Sequence, residues 1–205
     1  YSAAVRPIPA DPATVEIIPN GVDMDRCRSS LTRPEARQWL GIDEDGPIVG
    51  YVGRLSPEKR IREIVGSVAH LPDNWRLLVV GDGREREAVV GDRVIHRPAT
   101  DRIGDVWRAC DVAVVASDAE GYCLAAVEAV AAGVPLAATP VGVVPEIPDV
   151  EIIAQPAKPL WIAEAIEAAH RHGLTEAARE WAEQQSAARM AERWATWLAS
   201  VRAAS

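Results

Sequence analysis

Between residues 47 and 154 the chain alternates short apolar runs with longer mixed stretches. The runs span residues 48–52, 77–80, 94–95, 112–116, 135–138 and 151–154. They are nearly continuously apolar, with little in-and-out alternation, which is the pattern of strands covered on both faces. Between them lie stretches of helical length, such as 57–70, 84–90, 103–109 and 124–132. This alternation predicts an α/β fold: a single Rossmann-like, doubly wound parallel sheet with helices on both faces.

The flanks read differently. Residues 1–30 contain Pro7, Pro9, Pro12 and Pro19 without sustained periodicity, and Pro19-Asn20-Gly21 is a turn signal, so they are expected to be a linker or edge segment. Thr32-Arg33-Pro34-Glu35 has the form of a capping box, opening a short helix that Gly41 ends. The nucleotide-binding type of domain is therefore expected over 31–158, followed by two or three helices over 159–205. There Trp194, Trp197 and Val201 form an apolar stripe, expected to pack on the core.

Composition narrows the class. At 48% hydrophobic and 25% charged, the 205 residues are those of a globular domain. Thirty acidic residues against 22 basic ones leave a net charge of −8, which argues against a nucleic-acid partner. No apolar run approaches the roughly 20 residues that span a bilayer, and no signal-peptide pattern opens the chain. Cys27, Cys110 and Cys123 lack the spacing of a disulfide framework or a zinc site, which fits a reducing, cytoplasmic setting. Lys59 and Lys158 are the only lysines, so each raises the question why it is not arginine.

In an open parallel sheet, ligands bind beyond the carboxyl ends of the strands. Three turns there carry unusual chemistry. After the first run, Ser56-Pro57 reads as a helix start, and Lys59, Arg60 and Arg62 then crowd the positive end of the helix dipole. Either Glu58 and Glu63 neutralise them on a solvated face, or Arg54 and Lys59 bind an anion, of which phosphate is the usual one. After the fourth run, the stretch from Leu124 to Ala132 is apolar all round except at Glu128, as in a buried helix. A carboxylate there needs a partner, either a core arginine or a ligand's hydroxyl groups. Glu120 precedes that helix and would at least complement its dipole. The third turn, Gly81-Asp82-Gly83, permits close backbone approach but lacks the third glycine of a dinucleotide fingerprint, so it is expected to be a plain turn.

Gly53-Arg54-Leu55 with Lys59, then Gly81-Asp82-Gly83, Glu120-Gly121-Tyr122 with Glu128, Gly133-Val134-Pro135 and Pro145-Glu146 together resemble the C-terminal half of glycosyltransferase family 4. These are retaining enzymes built of two Rossmann-like domains, the GT-B fold. Ile18-Pro19-Asn20-Gly21-Val22-Asp23 is similar to the segment by which that family enters its C-terminal domain. The resemblance implies transfer of a hexose from a UDP- or GDP-sugar, a donor substrate rather than a cofactor. It implies that Arg54 and Lys59 hold the diphosphate and Glu128 the ribose. Glu120, with the backbone from Gly121 through Tyr122 and Cys123 to Leu124, would contact sugar and phosphates. Arg97 and Pro98 would meet the base, largely through backbone atoms. No metal and no protein nucleophile is implied, and Asp23-Met24-Asp25 is not read as a metal motif.

Three positions depart from the family. Cys123 and Arg60 stand where glycine is common, and Val143 breaks a glycine pair. They bear on the sugar more than on the nucleotide. The family's N-terminal, acceptor-binding half has no counterpart here, and Tyr1 reads as the middle of a longer chain. The expectation is a donor domain, excised or separately encoded, that transfers nothing alone. Lipid-linked acceptors, frequent in the family, leave room for peripheral attachment to the cytoplasmic membrane. The competing readings are a degenerate module that binds a partner through Trp194 and Trp197, and an epimerase or phosphorylase of the same fold.

Overall fold

A computed structural model describes residues 16–43 and 45–203. Tyr1, Pro7, Pro9 and Pro12 therefore lie outside the described residues. Six strands form one parallel sheet: β1 (Ile48–Val52), β2 (Arg76–Val80), β3 (Val94–Arg97), β4 (Val112–Val115), β5 (Leu136–Ala138) and β6 (Glu151–Ile152). Their spatial order is β3-β2-β1-β4-β5-β6, the doubly wound order expected.

Successive strand residues face opposite sides, so one continuously apolar strand feeds two cores. Ile48, Leu78, Val80, Ala113 and Val115 point to one core, with Trp107 and Val130. Val49, Leu77, Val79, Val112 and Val114 point to the other, with Ile61, Ile64, Ile162 and Ile166. Each fully buried aliphatic side chain of this kind stabilises the fold by about 1.5–3 kcal/mol. The first core is covered by α2 (Arg33–Trp39), α4 (Ile103–Ala109), α5 (Leu124–Ala131) and α7 (Glu176–Glu183). The second is covered by α3 (Ile61–Ser67) and α6 (Pro159–His172).

The predicted capping box is present: Thr32 and Glu35 hydrogen-bond each other's backbone at the start of α2. Asp111, just before β4, accepts from the Ile48 N–H and from Arg37 at 2.8 Å each, and pairs with Arg33. One carboxylate thus ties α2 to the base of the two central strands.

Several expectations need correction. The helix expected over 57–70 is broken: a 3-10 turn (Pro57–Lys59) ends at Arg60, whose φ is +55°, and α3 begins after it. Ser56 does not cap it, because its hydroxyl donates to Glu58 instead (2.6 Å). The helix expected over 84–90 is only a 3-10 turn (Arg86–Ala88). The Glu85 N–H is taken by the Leu55 carbonyl, and β3 follows too soon for a longer helix. The N-terminal segment is not a free linker from Val22 onward. Val22 bridges residues 185 and 187, and both it and Cys27, in the short α1 (Met24–Cys27), are buried.

Three helices close the chain, as expected, but the last, α8 (Ala187–Ala203), does not bury its stripe. Trp194, Leu198 and Val201 are 45%, 47% and 45% exposed. The Val22 bridge holds the start of this helix, and its side chains up to Val201 are all partly or fully exposed. None of the described helices is long and apolar enough to cross a membrane.

The Gly81-Asp82-Gly83 turn is more than a plain turn, because it locks the ends of β1 and β2 together. A Cβ on Gly81 would lie 1.9 Å from the Gly53 carbonyl oxygen, and one on Gly83 would lie 2.2 Å from that of Leu55. Gly81→Ala is therefore expected to destabilise the domain by about 3 kcal/mol or more, through overpacking against rigid backbone. Urea denaturation of the variant checks this, and an unchanged midpoint would refute it.

Candidate functional site

The chain leaves β1 toward α3 on one face and leaves β4 toward α5 on the other. The two loops part, and a cleft of about 300 Å³ opens at the carboxyl ends of the central strands. Tyr51, Val52 and Val115 lie at the strand ends, while Arg54, Lys59, Glu120 and Cys123 come from the loops. The buried Tyr51 hydroxyl donates to the Arg54 carbonyl at 2.7 Å and so holds the first loop. Burial, reinforced by the charge of Glu120, pushes its phenol up, so it stays a neutral donor.

Arg54, Lys59 and Glu120, singled out separately in the sequence, meet here. Lys59 Nζ lies 2.6 Å from Glu120 Oε1, and Ser117 Oγ donates to the same oxygen at 2.8 Å. Glu120 therefore does more than complement a helix dipole: it is the counterion of Lys59. Local neutralisation does hold for two other cations, since Arg60 pairs with Glu63 and Asp118, and Arg62 with Glu85. The exposed Arg54 guanidinium makes no hydrogen bond or ion pair among the described residues. An incoming anion would thus meet one uncommitted cation and one that must be drawn from its carboxylate.

Gly121 and Tyr122 lead into α5, whose N-cap is Cys123 at φ +79°, with no side-chain cap. The N–H groups of Leu124 and Ala125 open toward the cleft without a partner among the described residues. A helix start of this kind favours anions. Burial, with Glu120 adding to it, pushes the Cys123 thiol up to about 12, so it is no nucleophile at neutral pH.

Glu128 lies one turn further along α5. The helix is not buried all round: Leu124, at the cleft, is 44% exposed, and Glu128, which does not line the cleft, is half-buried. The Glu128 carboxylate makes no hydrogen bond among the described residues. Burial raises its carboxyl pKa, and the nearby Arg26 charge only partly opposes this. The Arg97 guanidinium donates to the carbonyls of Leu40 (2.6 Å) and Gly41 (3.3 Å), which leaves the backbone of this loop as the part expected to meet a base. Pro98 is exposed beside a groove of about 310 Å³ that shares Gly53 and Arg54 with the cleft and runs to Asp82, Ala99 and Thr100. Asp23 caps α1 and Asp25 pairs with Arg28, away from the cleft.

Sequence reasoning missed Ser117 and Tyr51. Ser117 had a signal, being the first polar residue after a buried apolar run. Tyr51 had none, since inside a strand it reads as core.

Residues 46–172 match the family model described as "Glycosyl transferases group 1". A D-inositol 3-phosphate glycosyltransferase of Xylanimonas cellulosilytica is 34% identical over 157 residues, covering 67% of this chain and 38% of its own length. A 2-deoxystreptamine glucosyltransferase of Streptomyces kanamyceticus is 37% identical over 143 residues, covering 62% of this chain and 37% of its own. The chain thus spans under two fifths of these relatives. Among solved structures, Anabaena HepE in complex with UDP and glucose has a TM-score of 0.79 at 23% identity. It covers 90% of this chain and 56% of that one, a likeness of fold.

The raised carboxyl of Glu128 has a stability consequence. The unfolded chain releases this proton at the ordinary carboxylate pKa and the native chain at a higher one, so stability falls as pH rises through that window. Glu128→Gln, a neutral mimic, is expected to raise the midpoint of thermal unfolding at pH 7 by about 1–3 °C, a gain that vanishes below about pH 4. Melting curves across this range check it. A loss of stability at pH 7 would show that the carboxylate is satisfied.

Proposed function

The chain belongs to the group 1 glycosyltransferases, and on that premise we propose that it is the nucleotide-sugar-binding half of a retaining glycosyltransferase, moving a hexose from a UDP- or GDP-sugar to an acceptor hydroxyl. The observation that carries this reading is the meeting of Arg54, Lys59 and Glu120 beside the open N–H groups of α5. These residues suit a diphosphate flanked by a polar sugar. In this reading the diphosphate takes Arg54 and draws Lys59 from Glu120, freeing that carboxylate to accept from sugar hydroxyls. Glu128 accepts from the ribose hydroxyls, which explains a half-buried carboxylate left without a hydrogen bond. The base lies in the adjoining groove by Ala99 and Thr100, near the backbone of Arg97 and Pro98. That HepE, of like fold, is found with UDP and glucose supports a nucleotide-sugar ligand for this fold.

The chemistry needs positioning and charge stabilisation rather than a covalent enzyme intermediate. The sugar–phosphate C–O bond breaks, with its electron pair leaving on the diphosphate, where Arg54 and Lys59 offset the growing charge. The acceptor oxygen bonds to the same carbon from the same face, and its proton passes to the departing phosphate oxygen. No metal is routed through this half. The acceptor is held by a second domain, consistent with relatives of which this chain matches under two fifths, and this half alone transfers nothing. Residues 31–158 carry the donor site, and the helices after 159 brace it, with the exposed face of α8 turned toward that second domain. That same face favours one other reading, a module that binds a protein partner and no nucleotide. The setting is cytoplasmic, with peripheral membrane contact through the acceptor.

Calorimetric titration with UDP, GDP and ADP separates the readings. One diphosphate is expected to bind, with Lys59→Ala and Glu128→Ala each weakening it about tenfold or more. Failure of all three to bind the folded chain, even with an acceptor-binding domain joined to it, would sink the donor-site reading in favour of the partner module.

A further inference from the structure

Beside the Lys59–Glu120 pair, the two loops of the cleft are stitched by consecutive residues of the first loop. The Asp118 N–H donates to the Glu58 carbonyl at 2.8 Å. Lys59 reaches Glu120 at 2.6 Å. Arg60 Nε reaches the Asp118 carboxylate at 2.8 Å, while its Nη1 reaches Glu63 at 3.0 Å. An isolated ion pair at this exposure contributes little. Three rungs on one pair of loops are a different matter, because each rung spares the next the entropy of ordering.

Arg60 carries this arrangement against its own backbone preference. Its φ of +55° lies in the left-handed region, which side-chain-bearing residues adopt at a cost. A glycine would sit there freely but would have no guanidinium. The planar guanidinium serves Asp118 on the second loop and Glu63 on its own helix together, a geometry lysine could not reproduce. Neither Arg60 nor Asp118 lines the cleft, so the pair acts on a ligand through the loops that carry Lys59 and Glu120.

We propose that Arg60 is a positioning residue: clasped to Asp118, it fixes the spacing of the Lys59 and Glu120 loops at which a diphosphate is received. This rests on the donor-site reading above. When the diphosphate arrives, only the middle rung has to open, as Lys59 turns to phosphate. The outer rungs stay closed, so the loops do not have to be ordered anew on binding.

The test uses the full chain with Arg60→Gly and Asp118→Asn. Glycine removes the clasp while relieving the left-handed backbone, so the thermal midpoint is expected to hold or rise. Without ligand, amide exchange over residues 117–121 is expected to quicken about tenfold in both variants. Pyrophosphate and UDP are expected to bind about three- to tenfold more weakly, with uridine unchanged and the double variant no worse than either single one. Unchanged exchange in Arg60→Gly would overturn the proposal, as would parental affinity for pyrophosphate, or an equal loss for uridine. Should the parent bind neither pyrophosphate nor any nucleoside diphosphate, even with an acceptor-binding domain joined to it, the donor-site reading fails, and the exchange measurement alone decides whether Arg60 sets the loops.

Discussion

Val49 pairs with Val112 and Gly50 with Ala113, and this short parallel ladder joins two halves of the sheet whose crossovers depart in opposite directions. The α3 helix goes to one core and α5 to the other, so no helix covers the ends of β1 and β4. Backbone carbonyls and N–H groups there are free for loops and ligands, and the cleft lies where these strands end. Gly50 is what lets the pair sit so deep. A Cβ there would fall 2.5 Å from the Cys110 sulfur and 3.0 Å from the Trp107 ring. Asp111 secures the opposite end of the same strands through Ile48, Arg33 and Arg37. The switch point is thus held rigid below and left open above.

Charge at the open end is distributed unequally. Among the described residues, Lys59 and Glu120 answer each other, Arg60 and Arg62 have carboxylates of their own, the Arg54 guanidinium has no hydrogen-bond or ion-pair partner, and the half-buried Glu128 carboxylate has no hydrogen bond. A structure selected for stability alone would neutralise Glu128 or remove it. Retaining a desolvated carboxylate and an uncommitted guanidinium at one end of the sheet is the pattern of a site that awaits polar and anionic groups. The two left-handed residues with side chains beside this end, Arg60 and Cys123, are the N-caps of the two crossover helices. Both loops therefore meet the cleft through backbone that side chains disfavour, and in each case the side chain is used. Arg60 reaches across to Asp118, and the buried Cys123 lines the cleft.

Much of this was legible in the chain. The strand positions, the parallel class and the Thr32–Glu35 capping box follow from local patterns, as does the placing of Arg54, Lys59 and Glu120 each in a turn after a strand. Other features were not. The break at Arg60 is invisible to periodicity, because residues 57–70 keep a helical rhythm through it. The exposure of the α8 stripe depends on whether another surface reaches it, and an apolar spacing reads the same whether covered or bare. That the Arg97 guanidinium serves the carbonyls at the end of α2 has no local signal either, because its partners lie some fifty residues away in the chain.

What the sequence by itself determined is therefore the fold and which polar residues stand at its strand ends. Burial on two faces demands runs of Val, Ile and Leu, and the turns that end those runs hold the cations and glycines, so both patterns are written among neighbours in the chain. Which charge answers which was decided only by the tertiary structure. Lys59 and Glu120 lie on separate loops, as do Arg60 and Asp118. Their pairing depends on the distance between two strand ends, which β1 and β4 set only once they lie side by side.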